Sequence, residues 1–94
     1  MSNSPQADLH TVLSFAKAHG YQSSGRIWQK LISSLAFETK FDLSLIQYFG
    51  EIDQARLFTI LEAFMSKELE VFEIRNFYLE FFLHPETWEE IDEN

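Results

Sequence analysis

Cysteine is absent from the 94 residues. Neither a disulfide framework nor a thiolate zinc site can therefore form. Glycine occurs only at Gly20, Gly25 and Gly50, positions too far apart to build a phosphate-cradling loop. Basic residues are scarce, seven against fifteen acids, for a net charge of −8. No apolar run approaches the ~18 residues that a membrane span needs. The start, MSNSPQADLH, lacks a basic segment followed by an apolar stretch, so no secretory leader is expected. These shortages lead us to expect a soluble, cytoplasmic protein with no membrane partner.

What the chain does have is apolar and aromatic bulk. Apolar residues make up 46% of it, and ten of its residues are Phe. Large rings bury much area per residue, which suits one small domain near the lower size limit for independent folding. The whole chain, residues 1–94, is read as that single domain. The charge is split along it. Residues 1–50 carry four basic and three acidic side chains, a net of +1, whereas residues 51–94 carry three basic and twelve acidic ones, a net of −9. Such a half repels phosphate backbones, so nucleic acid is not an expected partner. A protein with a basic surface is.

The apolar spacing is helical. Residues 1–7 read as a short polar lead, with Ser4-Pro5 able to open a helix. Leu9, Val12, Leu13 and Ala16 share a face, and Gly20 stops the helix. Residues 21–26 read as a loop, with Ser23 or Ser24 capping the next helix. Ile27, Trp28, Leu31, Ile32 and Leu35 form the clearest stripe; Lys30, Ser33 and Ser34 fall off it. Asp42 is the expected cap of a shorter helix with Leu43, Ile46 and Phe49 inward and Gly50 at its end. Asp53 is the expected cap of the following one, with Ile52 and Leu57 as a hydrophobic staple. Leu57, Phe58, Ile60, Leu61, Phe64 and Met65 continue its inward stripe, and residues 66–68 are the expected turn.

Residues 71–83 lack the alternation of a strand. On a helix their apolar residues cover an arc of roughly 200°, about twice what a surface helix needs. Such a helix either runs through the centre of the bundle or meets a second chain. For the second case Tyr78, Phe81 and Phe82 are the expected anchors and Arg75 the rim. Pro85 ends the helix or opens the next turn. Residues 85–94 form an acidic segment carrying Glu86, Glu89, Glu90, Asp92 and Glu93, pinned by Trp88 and Ile91. The expected fold is all-α, a small bundle of five or six short helices.

Sites of chemistry are thin. Glu80 and His84 lie one helical turn apart, but two ligands do not make a metal site, and no H-E-x-x-H occurs. Serines fall at caps or on polar faces, and no G-x-S-x-G is present. Arg26, Lys30 and Lys40 flank the second helix, yet Trp28 between them lies on the apolar stripe and reads as core. No catalytic residue, metal or cofactor is expected.

Ser24-Gly25-Arg26 before an apolar helix, Phe41-Asp42-Leu43 after it, Ile52-Asp53 opening the next, and the charged stretch 68–77 carry a resemblance. Across residues 24–78 the chain resembles small uncharacterised bacterial proteins found on plasmids and other mobile elements. In that pattern Leu-Asp is expected where this chain has Ile52-Asp53. The resemblance implies a helical fold and a bacterial or phage origin; it implies no activity and no catalytic residues. Small acidic proteins of mobile elements include inhibitors of host defence complexes, some of which place carboxylates where DNA phosphates would sit. The leading expectation is therefore a non-enzymatic protein-binding module, regulatory or inhibitory. The alternative is a structural homodimer that buries the Phe-rich helix 71–83 against its copy.

Overall fold

The computed structural model describes residues 4–20 and 23–82. Among them are four α-helices, one 3-10 helix and no strand: α1 (Pro5–Ala18), α2 (Ser23–Phe37), the 3-10 helix Leu43–Tyr48, α3 (Glu51–Met65) and α4 (Val71–Phe81). The all-α class expected from the spacing is the class observed.

Helix α1 begins where Ser4 accepts a hydrogen bond from the Ala7 amide and Pro5 takes the first helical position. Residues 5–7, read as polar lead, thus belong to the helix. Leu9, Val12, Leu13 and Ala16 are buried as expected. Helix α2 starts at Ser23, so Ser24, Gly25 and Arg26 are helical and not loop. Ser33 and Ser34, placed off the apolar stripe by periodicity, are buried as well. The reason is that α2 packs on α1, on α4 and on the 3-10 segment, so few of its sides meet water. Burial of Ser34 is tolerated because its hydroxyl donates to the Leu31 carbonyl at 2.7 Å.

The contacts give the path of the chain. Helix α2 returns beside α1, and Glu38 ends it in the left-handed region, φ 57°, with the Thr39 amide bonded back to the Ser34 carbonyl. That is a Schellman closure with Glu38 where glycine is usual. The crossover then climbs along α2 to the opposite end. There Phe49 stacks on Trp28, with ring centroids 4.6 Å apart. Helix α3 descends beside α1. After the turn expected at 66–68, α4 rises beside α1 and α2. Gln6 donates to Glu73 at one end of that pair, and the His10 ring meets Phe81 further along. Helices α1 and α4 therefore run in the same direction.

Two expected helix starts differ. Asp42 does cap the 3-10 helix, accepting from the Ser44 amide and hydroxyl. Phe49 is buried, but Leu43, expected inward, is exposed. Asp53 is not a cap. Helix α3 opens three residues earlier with Gly50 as its N-cap, and Ile52 is exposed, so no staple with Leu57 forms. Asp53 instead accepts a hydrogen bond from the Trp28 indole N–H at 3.1 Å. This interaction satisfies the polar atom of a wholly buried Trp.

Candidate protein-binding surface

Helix α4 is neither the central helix nor an open aromatic face. Ile74 and Tyr78, four residues apart, point into the core and are buried. Tyr78 packs edge-on against Phe37, with centroids 5.8 Å apart, and lies tilted against Phe82. As a core residue it is not the interface anchor expected. Phe81 is partly buried against His10, and Phe82, just past the helix end, is partly buried too. Arg75, expected at a rim, is a tie within the fold. Its Nε donates to the Ala36 carbonyl at 3.0 Å, and its guanidinium lies 5.3 Å from the Phe37 ring centroid. It thereby caps the carbonyl end of α2, where a cation is favoured. The 200° arc is divided three ways: into the core, along its margin, and outward at Phe72 and Leu79. Glu86, Glu89, Glu90, Asp92 and Glu93, like Trp88 and Ile91, lie outside the described residues.

The broader outward surface belongs to α3. Its inward side is Leu57, Ile60 and Ala63. Phe58 and Met65, expected on that same side, point away from it and are 68% and 75% exposed; Ile52 is 70% exposed. Phe58, Met65 and Ala55 share an outer face with exposed Glu51 and Glu62, and Ile52 lies on its flank. Helical geometry accounts for this. At about 100° per residue, Phe58 falls on the side opposite Ile60 and joins Ala55 and Met65. The offset is legible in the sequence, but an inward stripe wide enough to hold Leu57, Ile60, Leu61 and Phe64 also takes in Phe58 and Met65.

The outer face of α3 ends at a cleft of about 380 Å³ beneath the α3–α4 turn, lined by Phe64, Met65, Lys67, Leu69, Glu70 and Val71. Phe72 is exposed just beyond it. At the other end of the molecule Leu43 and Tyr48 are exposed on the crossover. The adjoining Asp42 carboxyl is held below its ordinary value of 3.8, first by the Ser44 hydroxyl, then by the Ser44 amide, with a smaller contribution from the Lys30 charge.

Among the described residues no chemical centre stands beside this surface. Glu80 is exposed and His84 lies outside the described residues. Among the described residues no three His, Asp or Glu side chains come together as a metal site would require, and no helix is long and apolar enough to cross a membrane. Trp28 is core, as its stripe implied. No family model, curated protein or solved structure matches the chain.

Proposed function

We propose that this chain is a non-enzymatic protein-binding module, regulatory or inhibitory in effect, of a bacterial mobile element or phage. The observation that supports the reading most is the exposed apolar bulk on the outer face of α3: Phe58 and Met65 beside Ala55, with Ile52 on the flank. Single exposed apolar residues are ordinary on a monomer, whereas several grouped on one face mark a contact surface. The charge of the same half, twelve acids against three bases, favours a partner with a basic surface and speeds its encounter. An acidic chain of this size also suits the anti-defence inhibitors that stand in for DNA, a parallel of charge and class alone.

Affinity capture from a bacterial extract, followed by binding of the purified captured protein, tests the reading. Wild type should bind in a salt-sensitive manner, and a variant with Glu86, Glu89, Glu90, Asp92 and Glu93 changed to Gln should bind more weakly. No reproducible partner, or binding equal in both chains at every salt concentration, would count against it. The homodimer reading is favoured by Phe72 and Leu79, which face outward on the helix expected to self-associate. Sedimentation at rising concentration decides between the two: a persistent monomer removes the homodimer.

A further inference from the structure

We infer that the outer face of α3 is a seam for a single amphipathic helix of the partner, one that carries Lys or Arg among its apolar positions. This inference rests on the protein-binding reading and adds the form of the partner and the place where it docks.

The first argument is that α3 carries apolar bulk on the side turned from the bundle. Leu57, Ile60 and Ala63 face the bundle, while Ala55, Phe58 and Met65 lie on the opposite side and are exposed. Helix α3 packs chiefly on α1, so no other helix of the described residues covers Phe58 and Met65.

The second argument is spacing. The outward positions Glu51, Ala55, Phe58, Glu62 and Met65 are separated by four, three, four and three residues. That alternation keeps the five positions in one line along the helix, the spacing at which a facing helix is met in a two-stranded coiled coil, with glutamate at two of the five. It runs for about 21 Å at 1.5 Å per residue, enough for a partner helix of three or four turns. Ala55 leaves a dent beside Phe58 for a larger side chain of that partner.

The third argument is charge. Glu51 and Glu62 lie on the line itself, and no Lys or Arg does; Arg56 sits on the flank turned toward the bundle and is partly buried. Covering Glu62 with an apolar face would desolvate a carboxylate without a counter-charge, which is costly. The partner must therefore bring a cation to that level. A second copy of this chain cannot. Paired in parallel it sets Glu62 against Glu62, and paired antiparallel it sets Glu62 against Glu51, Phe58 or Met65, none of them a cation. Two chains of net charge −8 also repel. The polar seam position thus selects a basic helix over self-pairing, as single polar positions do in coiled coils.

The test uses two synthetic helical peptides of about two heptads, with Leu at the seam positions and either Lys or Glu beside them. Each is titrated calorimetrically into wild type, Phe58→Asp, Glu62→Lys and Phe72→Asp. The Lys peptide should bind wild type with a Kd on the order of micromolar. Phe58→Asp and Glu62→Lys should each weaken it about tenfold or more, and Phe72→Asp should not. The Glu peptide should not bind. Circular dichroism confirms that each variant keeps its helix content; the altered side chains are exposed in the folded chain.

Loss on Phe72→Asp with none on Phe58→Asp would overturn the α3 seam while leaving the protein-binding reading intact, with the contact moved to α4. Equal binding by all variants would reduce the effect to net charge and overturn it. A wild-type dimer that Phe58→Asp dissociates would name a second copy as the occupant and overturn it too. If neither peptide binds, the seam fails, while capture of a full-length partner still judges the broader reading on its own.

Discussion

Gly25 lies where the first turn of α2 passes over the end of α1. A Cβ placed there would sit 2.8 Å from the His19 carbonyl carbon and closer still to its oxygen. Both are backbone atoms, so relief requires the two helices to part. Gly25→Ala is expected to destabilise the chain by about 1–3 kcal/mol, the usual cost of overpacking, against the gain that alanine gives an ordinary helix position. Urea unfolding measures it. Glu38 offers the opposite case. It holds φ 57° at the end of α2, a region that costs an L-residue about 1–2 kcal/mol and glycine little. Glu38→Gly should raise stability by about 0.5–1 kcal/mol after the added freedom of the unfolded chain is counted. A lower midpoint would refute the strain. Asp42 supplies a pH-dependent term. Because its folded pKa is lowered, chiefly by the Ser44 hydroxyl and then by the Ser44 amide, its contribution is present above the ordinary value of 3.8 and fades as pH falls through the lower folded value. NMR titration should find Asp42 below 3.8, and Ser44→Ala should move it up toward that value.

At the scale of elements, α4 is tied to α2 by a cation as well as by the buried Tyr78 against Phe37. Arg75 reaches the Ala36 carbonyl and the Phe37 ring together. Arg75→Ala removes a charge-assisted hydrogen bond and a ring contact. It should cost about 2 kcal/mol and speed amide exchange in α4 more than in α1; uniform exchange would contradict this. Arg75→Lys should recover only part, since an ammonium lacks the planar fork. The same contact shows what the sequence carried and what it did not. Helix α1 was legible because its stripe, its Ser4 cap and its Pro5 all agree. Helix α2 was legible from Ile27, Trp28, Leu31 and Ile32. Asp53 was misread because a good local capping pattern competed with a bond to Trp28, twenty-five residues away, and no local pattern encodes that distance. Arg75 was assigned to a rim because periodicity says which residues share a face, not what stands opposite. The outer surface was misplaced for the same reason. The aromatic excess of residues 71–83 was visible, but α1 and α2 cover Tyr78, while the face left uncovered belongs to α3, where Phe58 and Met65 had been counted as core.

On the scale of the whole molecule, the chain is a small bundle with a charge gradient and one uncovered flank. The core stripes of α1 and α2 are nearly all enclosed, so the N-terminal half behaves as scaffold. The C-terminal half carries most of the acid and most of the exposed apolar bulk, the combination that fits a contact with a basic, partly apolar partner. Electrostatic attraction should set the rate of encounter, and added salt should slow association more than it speeds dissociation. The seam on α3 should set the lifetime of the complex, so Phe58→Asp should act mainly on dissociation. The most direct measurement is a map of amide shift changes by NMR as the captured partner, or its basic helix, is added to the labelled chain. The account predicts the largest changes between Glu51 and Met65, strongest around Ala55, Phe58 and Glu62, with the inward residues of α1 little affected. Changes confined to the outer side of α1, or spread evenly over every acidic residue, would contradict it.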